Sequence, residues 1–534
     1  MSERFDYVII GGGSAGCVAA GVLSEDPAAR VLILERGPAA EEHPETLRAD
    51  GYKQAFINDE LIWDRFSERQ RSCGGQHLFM GSGSGMGGSG AVNAMVYTRG
   101  ARLDYDEWPR GWSWDDCLPH FEAIEGALRP RRRPPTRFSE VCVEAATQIG
   151  LRRKHDLNDG DLSEVLGYEW MNYEGAQRRN SYVAFVKEPA RPNLVVRTGA
   201  RVRRLDIDSN RRVHGVIYRD ADDAPRRVEI TREVLLCAGA LETPKLLMLS
   251  GIGPGAALRK AGVEPLHELP GVGENLHDHP NVTLFFRGDR YVDLLHPQLY
   301  GFVRANPSST LPAGQSDTCL VLYSGNASFY EASKRMIPYK LFGGPRYGPR
   351  KRDLSRRAVD LAFRLGGVRR LVSELYGVVV ILGKPKSRGR LTLRSARPED
   401  PARLDPGYFT DPDDMRTMLA GLERARALAA SPALAAWGNR ELLPGPGKRS
   451  ERALSRWIEK NAMTTFHYAG TCRMGEDAAA VVDTRGRIAG VRGLRVADAS
   501  VTPWTPVSAM NAPSMMIGRR MATFAREEAR ASAR

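Results

Sequence analysis

The sequence predicts a mixed α/β fold, α+β overall, built on a parallel βαβ unit at the N-terminus. Three observations carry this expectation. Tyr7–Ile10 is an apolar run of strand length, followed by the glycine turn Gly11–Gly16 and the small-residue stretch Ala15–Leu23, which suits a closely packed helix. Val31–Leu34 is the returning parallel strand and ends at Glu35. The pairing of a short apolar strand with a helix recurs at Val234–Leu236 with Thr243–Leu249, and at Leu494–Ala497 with Asn511–Ala525.

Between these units the chain reads as follows. A second glycine-rich segment, Gly81–Gly90, holds six glycines. Residues 129–137 (RPRRRPPTR) read as a Pro/Arg connection, neither helix nor strand. Leu194 to Arg219 alternates apolar residues with Arg and Asp, predicting two antiparallel strands that meet near Asn210. The helix over Thr243–Leu249 stops at Ser250-Gly251-Ile252-Gly253-Pro254, a glycine cap followed by proline. Gly377–Thr392 is expected to form a hairpin across Lys384–Gly389, and Asp413–Leu428 an amphipathic helix. No repeat period is present, which excludes a solenoid.

Composition narrows the function classes. The 534 residues are 42% hydrophobic and 26% charged, an ordinary globular balance able to bury a large core. The longest apolar run, Leu375–Leu382, is strand-sized and far short of the ~20 residues of a membrane span. The N-terminus lacks the basic-then-apolar pattern of a secretory signal. The seven cysteines form no CxxC pair, so a disulfide framework or zinc site is not expected, and a cytoplasmic location is. The net charge of +13 is concentrated: Lys334–Arg370 holds twelve Lys or Arg and two Asp. One basic block without an aromatic stacking set does not describe a nucleic-acid binder.

Gly11, Gly13 and Gly16 spell GxGxxG. The first glycine permits the tight turn, the second lets a pyrophosphate approach the backbone, and the third allows close helix–strand packing. Unpaired N–H groups at the start of the helix, from Ser14 and Ala15, then face the phosphates. Glu35, nineteen residues past Gly16, stands where an acid binds a ribose diol, with Arg36 beside it. Strand, turn, helix, strand and acid together indicate a dinucleotide site, without choosing between NAD and FAD.

Further segments carry a family resemblance. They are Met86-Gly87-Gly88-Ser89-Gly90-Ala91-Val92-Asn93-Ala94-Met95-Val96-Tyr97, Gly239-Ala240-Leu241-Glu242-Thr243-Pro244, and His467-Tyr468-Ala469-Gly470-Thr471-Cys472-Arg473-Met474-Gly475. Asp498-Ala499-Ser500 with Asn511-Ala512-Pro513, Gly271–Leu276 and Pro385–Gly389 complete the set. In order and spacing the chain closely resembles the glucose–methanol–choline (GMC) oxidoreductases, nearest the choline-dehydrogenase-like, alcohol-oxidising branch.

The resemblance implies a flavoenzyme. Gly11, Gly13, Ser14, Ala15 and Gly16 would hold the FAD pyrophosphate, Glu35 with Arg36 the adenosine ribose, and Val202 and Ala238 the adenine side. Gly87, Gly88, Asn93, Ala94, Met95 and Val96 would line the isoalloxazine and ribityl chain, and Asp498-Ala499 would close over the ribityl phosphate. Relatives with a histidyl–flavin bond carry that histidine just before the motif asparagine; Val92 stands there, so FAD is expected to be non-covalent. His467 matches the catalytic base and Asn511 the second catalytic position, also beside the flavin. Oxidising an alcohol removes a hydroxyl proton and an α-hydride, so a histidine base and an amide donor to the alkoxide suit that chemistry. The expected partners are a small alcohol and an electron acceptor that is oxygen, a quinone or another species. The alternative is a lyase on the same fold, cleaving cyanohydrins or decarboxylating fatty acids with light.

Four features depart from the family pattern or stand outside it. Gly81-Ser82-Gly83-Ser84-Gly85-Met86 replaces a run that usually carries two cations, and Val501–Met510 is bulkier than the usual small-residue stretch before Asn511. His277-Asp278-His279 reads as a structural turn near the flavin, not a metal pair. In the basic block, Leu354, Ala358, Leu361, Leu365, Val368 and Val372 fall at helical spacing, with Gly366-Gly367 interrupting. The reading preferred for residues 350–372 is a solvated helix packed on a cap, over peripheral membrane contact or a cationic mouth for an anionic substrate or an acidic carrier protein. The division expected is an FAD-binding part over 1–290, with cap segments near 136–180, a substrate-binding antiparallel-sheet part over 291–459, and a return over 460–534 carrying His467 and Asn511.

Overall fold

The computed structural model describes residues 3–532. Its first sheet is seven-stranded and places Leu194–Arg197, Val31–Leu34, Glu3–Ile10 and Pro225–Leu236 side by side, continuing through Val213–Arg219 to Arg201–Ile207. Glu3–Ile10 runs parallel to both its neighbours, with Tyr7 opposite Val31 and Ile10 opposite Leu34. Leu494–Val496 adds in parallel beside Val234–Leu236, so the two later strand–helix units join the N-terminal one as expected.

The N-terminal helix spans Ser14–Leu23 and is buried along nearly its whole length. Gly11 turns at φ +105°, a region side chains disfavour. A Cβ on Gly16 would stand 1.9 Å from the Gly11 carbonyl oxygen, which is why the helix can sit this close to the strand. The terminal helix, Asn511–Ser532, packs along it and is longer than its sequence signal.

The second sheet is eight-stranded: Arg440–Leu443, Pro280–Arg287, Leu375–Leu382, Thr318–Ser324, Leu299–Val303, Val165–Tyr168 and Arg152–Lys154, with Met463–Thr464 at the end of Pro280–Arg287. Period-two alternation divides its faces. Val282, Leu284, Phe286, Leu320, Leu322, Val378 and Val380 point into a core that includes Met418, Leu422 and Ala425 of the Pro412–Ala429 helix. Thr283, Phe285, Cys319, Tyr323, Val379 and Ile381 point the other way, into a large cavity.

Several local expectations are corrected. The antiparallel pair meeting near Asn210 forms as expected, as Arg201–Ile207 with Val213–Arg219, but Leu194–Arg197 lies outside it, as the edge of the parallel sheet. Gly377–Thr392 is not a hairpin. Leu375–Leu382 pairs with strands at 280–287 and 318–324, while Arg390–Thr392 pairs with Arg403–Asp405. Within 129–137, Arg131–Arg132 is a two-residue strand against Trp170–Met171. The basic block forms two helices, Pro349–Arg364 and Gly366–Ser373, broken at Leu365 beside the glycine pair. Its apolar stripe does not pack inward: Leu354, Leu361 and Leu365 are exposed, and Val359 is the buried residue of the longer helix.

All seven cysteines are buried and unpaired. No helix among the described residues is long and apolar enough to cross a membrane.

Candidate active site

One cavity of about 1540 Å³ lies between the two sheets and holds most of the residues expected to act. Gly11, Gly13, Ser14, Ala15, Glu35, Arg36, Gly88, Asn93, Ala94 and Val96 line it, with Val202, Ala238, Asp498, Ala499, His467 and Asn511. Val92 is on the wall too. Gly16, Gly87 and Met95 are not: Gly16 serves the helix–strand contact, and Met95 is fully buried behind the wall.

At the glycine end the surface is backbone. Gly13 caps the Ser14–Leu23 helix without a side-chain hydrogen bond, so the first N–H groups of the helix are left for another acceptor. A Cβ on Gly88 would come within 2.7 Å of the Gly13 Cα, so the two glycine loops face each other with no side chain between. Glu35 ties them together. Its carboxylate accepts from the N–H groups of Gly12 and Gly37 at 2.8 Å each and of Gly85 at 3.0 Å, leaving room for one further donor.

The cations missing from Gly81–Met86 are met by others from distant sequence. Arg65 donates to the Ser82 hydroxyl at 2.7 Å, and Arg36 and Arg65 lie 3.3 and 3.7 Å from the Trp63 ring. Burial, with Arg65 nearby, lowers the Arg36 guanidinium to about 10. Lys245, also on the wall, is buried and lowered by the same desolvation. Free helix N–H groups, a side-chain-free cradle and a cationic wall form a donor set suited to a pyrophosphate. The cavity then runs on to His467 and Asn511, so an elongated dinucleotide such as FAD fits these residues.

At the other end the geometry comes from side chains. His467 is half-buried, and its Nδ1 lies 2.9 Å from Nδ1 of His279, the two rings nearly perpendicular. Both backbone N–H groups donate to Asp278 Oδ1 at 2.8 Å, and the hydroxyls of Tyr408 and Thr464 donate to Oδ2. His277 and Ala469 exchange backbone hydrogen bonds at 2.9 and 3.1 Å, holding the two segments in register. Burial pushes His467 down to about 4, and His279 well below the ordinary imidazole value, so both are neutral at pH 7. With its Nδ1 engaged by His279, His467 has Nε2 as the nitrogen left to accept a proton.

Asn511 opens the terminal helix. The Ser14 hydroxyl donates to its Oδ1 at 2.8 Å, which turns the amide NH₂ away from that contact. Val507, Ser508, Ala509 and Met510 form the adjoining wall. Trp504, the bulkiest residue of that stretch, is half-exposed against Arg388 and off the wall.

Sequence reasoning missed three contributors. His279 was expected only in a structural turn, yet it lines the cavity and holds His467; Asp278 anchors both. Two histidines around an aspartate, directly before an apolar strand, were the available signal. Arg178 is fully buried and donates to the Gly90 carbonyl and to both oxygens of Asn93, a contact across 85 residues that no local pattern announces. Among the described residues no cluster of three or more potential ligands is placed to hold a metal.

Known proteins resemble this chain along nearly its whole length. Residues 5–281 and 385–518 match the N- and C-terminal family models described as GMC oxidoreductase. The alcohol dehydrogenase [acceptor] of Pseudomonas putida is 32% identical over 97% of this chain and 95% of its own. The choline oxidase of Arthrobacter globiformis is 32% identical over 98% and 95%. Among solved structures, pyridoxine 4-oxidase from Mesorbium loti superposes with a TM-score of 0.83 at 28% identity, covering 98% of this chain and 99% of that one.

Proposed function

The chain belongs to the GMC oxidoreductase family, and on that premise we propose how its site oxidises an alcohol. It is an FAD-dependent oxidoreductase acting on CH–OH donors. The relatives named above are dehydrogenases and oxidases, which supports oxidation over the lyase alternative.

The observation that carries the assignment of roles is the His467–His279 contact on the wall of the cavity that also holds the glycine loops. Bound FAD supplies the two-electron acceptor for the carbinol hydride. His467 Nε2 takes the hydroxyl proton, which needs the proton of the neutral ring to sit on Nδ1. His279 Nδ1 then accepts from it, and His279 keeps its own proton on Nε2. That nitrogen makes no formed hydrogen bond, but the Gly383 backbone acts on the ring in the sense that retains a proton. Asp278 fixes the backbones of both histidines, so neither ring has to find its place during the reaction. Asn511 donates from its amide nitrogen to the developing alkoxide, its carbonyl end held by Ser14.

FAD is held without a covalent bond in this reading. Val92 presents an alkyl group where a linking side chain would need a nucleophilic atom. Acid precipitation should release the flavin into the supernatant, and flavin retained in the pellet would contradict it. The substrate is a small primary or secondary alcohol. Anaerobic mixing with an alcohol panel should bleach the flavin band with at least one class, and admitting air then separates fast reoxidation by oxygen from dependence on another acceptor. A band bleached by no alcohol, together with product formed without flavin reduction, would sink the oxidation assignment.

A further inference from the structure

The helix Pro349–Arg364 is turned inside out for a helix that only meets water. Its charged side faces the protein: Arg352 and Arg356 pair with Asp59 at 2.9 and 2.8 Å, and Asp360 pairs with Lys334 at 2.9 Å. Its apolar stripe faces away. Leu354, Leu361 and Leu365 are 71%, 65% and 60% exposed, with exposed Ala358 between them. Apolar area left in water is unfavourable in proportion to its extent, so three leucines on one face call for a covering.

The charges beside the stripe say what covers it. Arg350 and Arg357 flank the leucines, and Arg369 follows on the next helix; all three are exposed, and none forms an ion pair with a described carboxylate. The acids of this helix are spent internally, Asp353 on Arg352 and Asp360 on Lys334. The outer face is thus apolar and cationic without compensating negative charge. A second copy docked through the same face about a two-fold axis would set these cations against their own images. The surface instead complements an anionic lipid bilayer, where leucines enter the acyl boundary and arginines meet the headgroups.

We propose that the outward face of Pro349–Arg364, with Arg369, docks this enzyme on an anionic membrane surface. The same helical unit borders the active-site cavity. The helix Gly325–Phe342 packs against Pro349–Arg364, and its exposed Ile337 and Leu341 line the cavity. Docking therefore brings an apolar edge of the cavity toward lipid, giving an apolar substrate or electron carrier an entry route from the membrane.

Flotation of the purified holoenzyme with vesicles tests this. It should float with phosphatidylcholine–phosphatidylglycerol vesicles, stay behind with phosphatidylcholine alone, and come off as salt is raised. Combining Arg350→Ser, Arg357→Ser and Arg369→Ser should weaken binding about a hundredfold. Combining Leu354→Ser, Leu361→Ser and Leu365→Ser should weaken it at least about tenfold. Both variants should keep the flavin spectrum and the rate of flavin reduction by a soluble alcohol, which shows that the fold survives. The proposal is overturned if the intact enzyme ignores anionic vesicles, or if either variant binds them as well as the parent. It is equally overturned if the leucine variant turns a dimeric parent into a monomer, since the face would then belong to a second copy.

Discussion

The two ends of the cavity are built by opposite means. At the glycine end the surface is main chain, shaped by where a Cβ is absent, and most of it runs from Gly11 to Glu35, with the Gly85–Gly88 turn laid against it. At the histidine end the surface is side chain, and its parts come from residues 188 apart, joined through one buried carboxylate. The first end should therefore fail abruptly when an atom is added, and the second by degrees as contacts are removed.

The largest effect tests the glycine end. Gly16→Val would force a branched side chain into space where even the Cβ sits 1.9 Å from the Gly11 carbonyl. Separation of helix from strand should abolish FAD binding, read as loss of the visible flavin spectrum from purified protein. A Gly16→Val enzyme with normal flavin would break the contrast at its root.

The next effect belongs to the histidine end and should leave the cofactor untouched. His467→Ala should keep the flavin spectrum while slowing anaerobic flavin reduction by about 10²–10⁴, the range of a lost general base. Unchanged reduction would remove His467 from the chemistry. The parent should also show where that base titrates. Burial disfavours the imidazolium, lowering His467 to about 4, so the basic form persists below neutrality. Activity should be lost as pH falls, along a limb with its midpoint below the ordinary ~6.5 of histidine. A limb centred at or above 6.5 would show that the desolvation is relieved in the working enzyme.

How much of each end was legible in the sequence follows from the same difference. The glycine turn, its helix and the returning strand are set by neighbours within some twenty residues, and spacing alone placed them. The helix Thr243–Leu249 and the strand Leu375–Leu382 were likewise bounded by local signals. The partners of Leu375–Leu382 were not, because a strand's alternation reports that it has two faces and not which segment lies beside it. Periodicity also found the stripe at Leu354, Leu361 and Leu365, but it carries no sign, and the ion pairs of Arg352 and Arg356 with Asp59 turn the stripe outward. His279 and Asp278 were hidden for the same reason as the strand partners: their meaning lies in His467.

A graded loss is the mark of the histidine end, and His279 should give its middle value. His279→Ala removes the acceptor for His467 Nδ1–H without touching Nε2, so the base remains but its tautomer and orientation are no longer held. Flavin reduction should slow about tenfold, in line with one net hydrogen bond at the ~1.4 kcal/mol end of its usual range, and the acidic limb should shift. His279→Gln, which keeps a polar side chain near the same place, should recover part of the rate. A purely structural role would lower thermal stability while leaving the limb where it was.

The smallest effect should appear where the two ends touch. Ser14 belongs to the glycine end by sequence, but its hydroxyl holds the Asn511 amide at 2.8 Å and so serves the histidine end. Ser14→Ala leaves the backbone donors of the helix intact, so FAD affinity should change little. The amide, no longer held by its carbonyl oxygen, should spend part of its time turned away from the alkoxide. Reduction of the flavin should then slow by a few fold with the flavin spectrum preserved, in keeping with a single neutral hydrogen bond. If Ser14→Ala instead loses FAD, the hydroxyl belongs to phosphate binding and the two ends are one cooperative site rather than two.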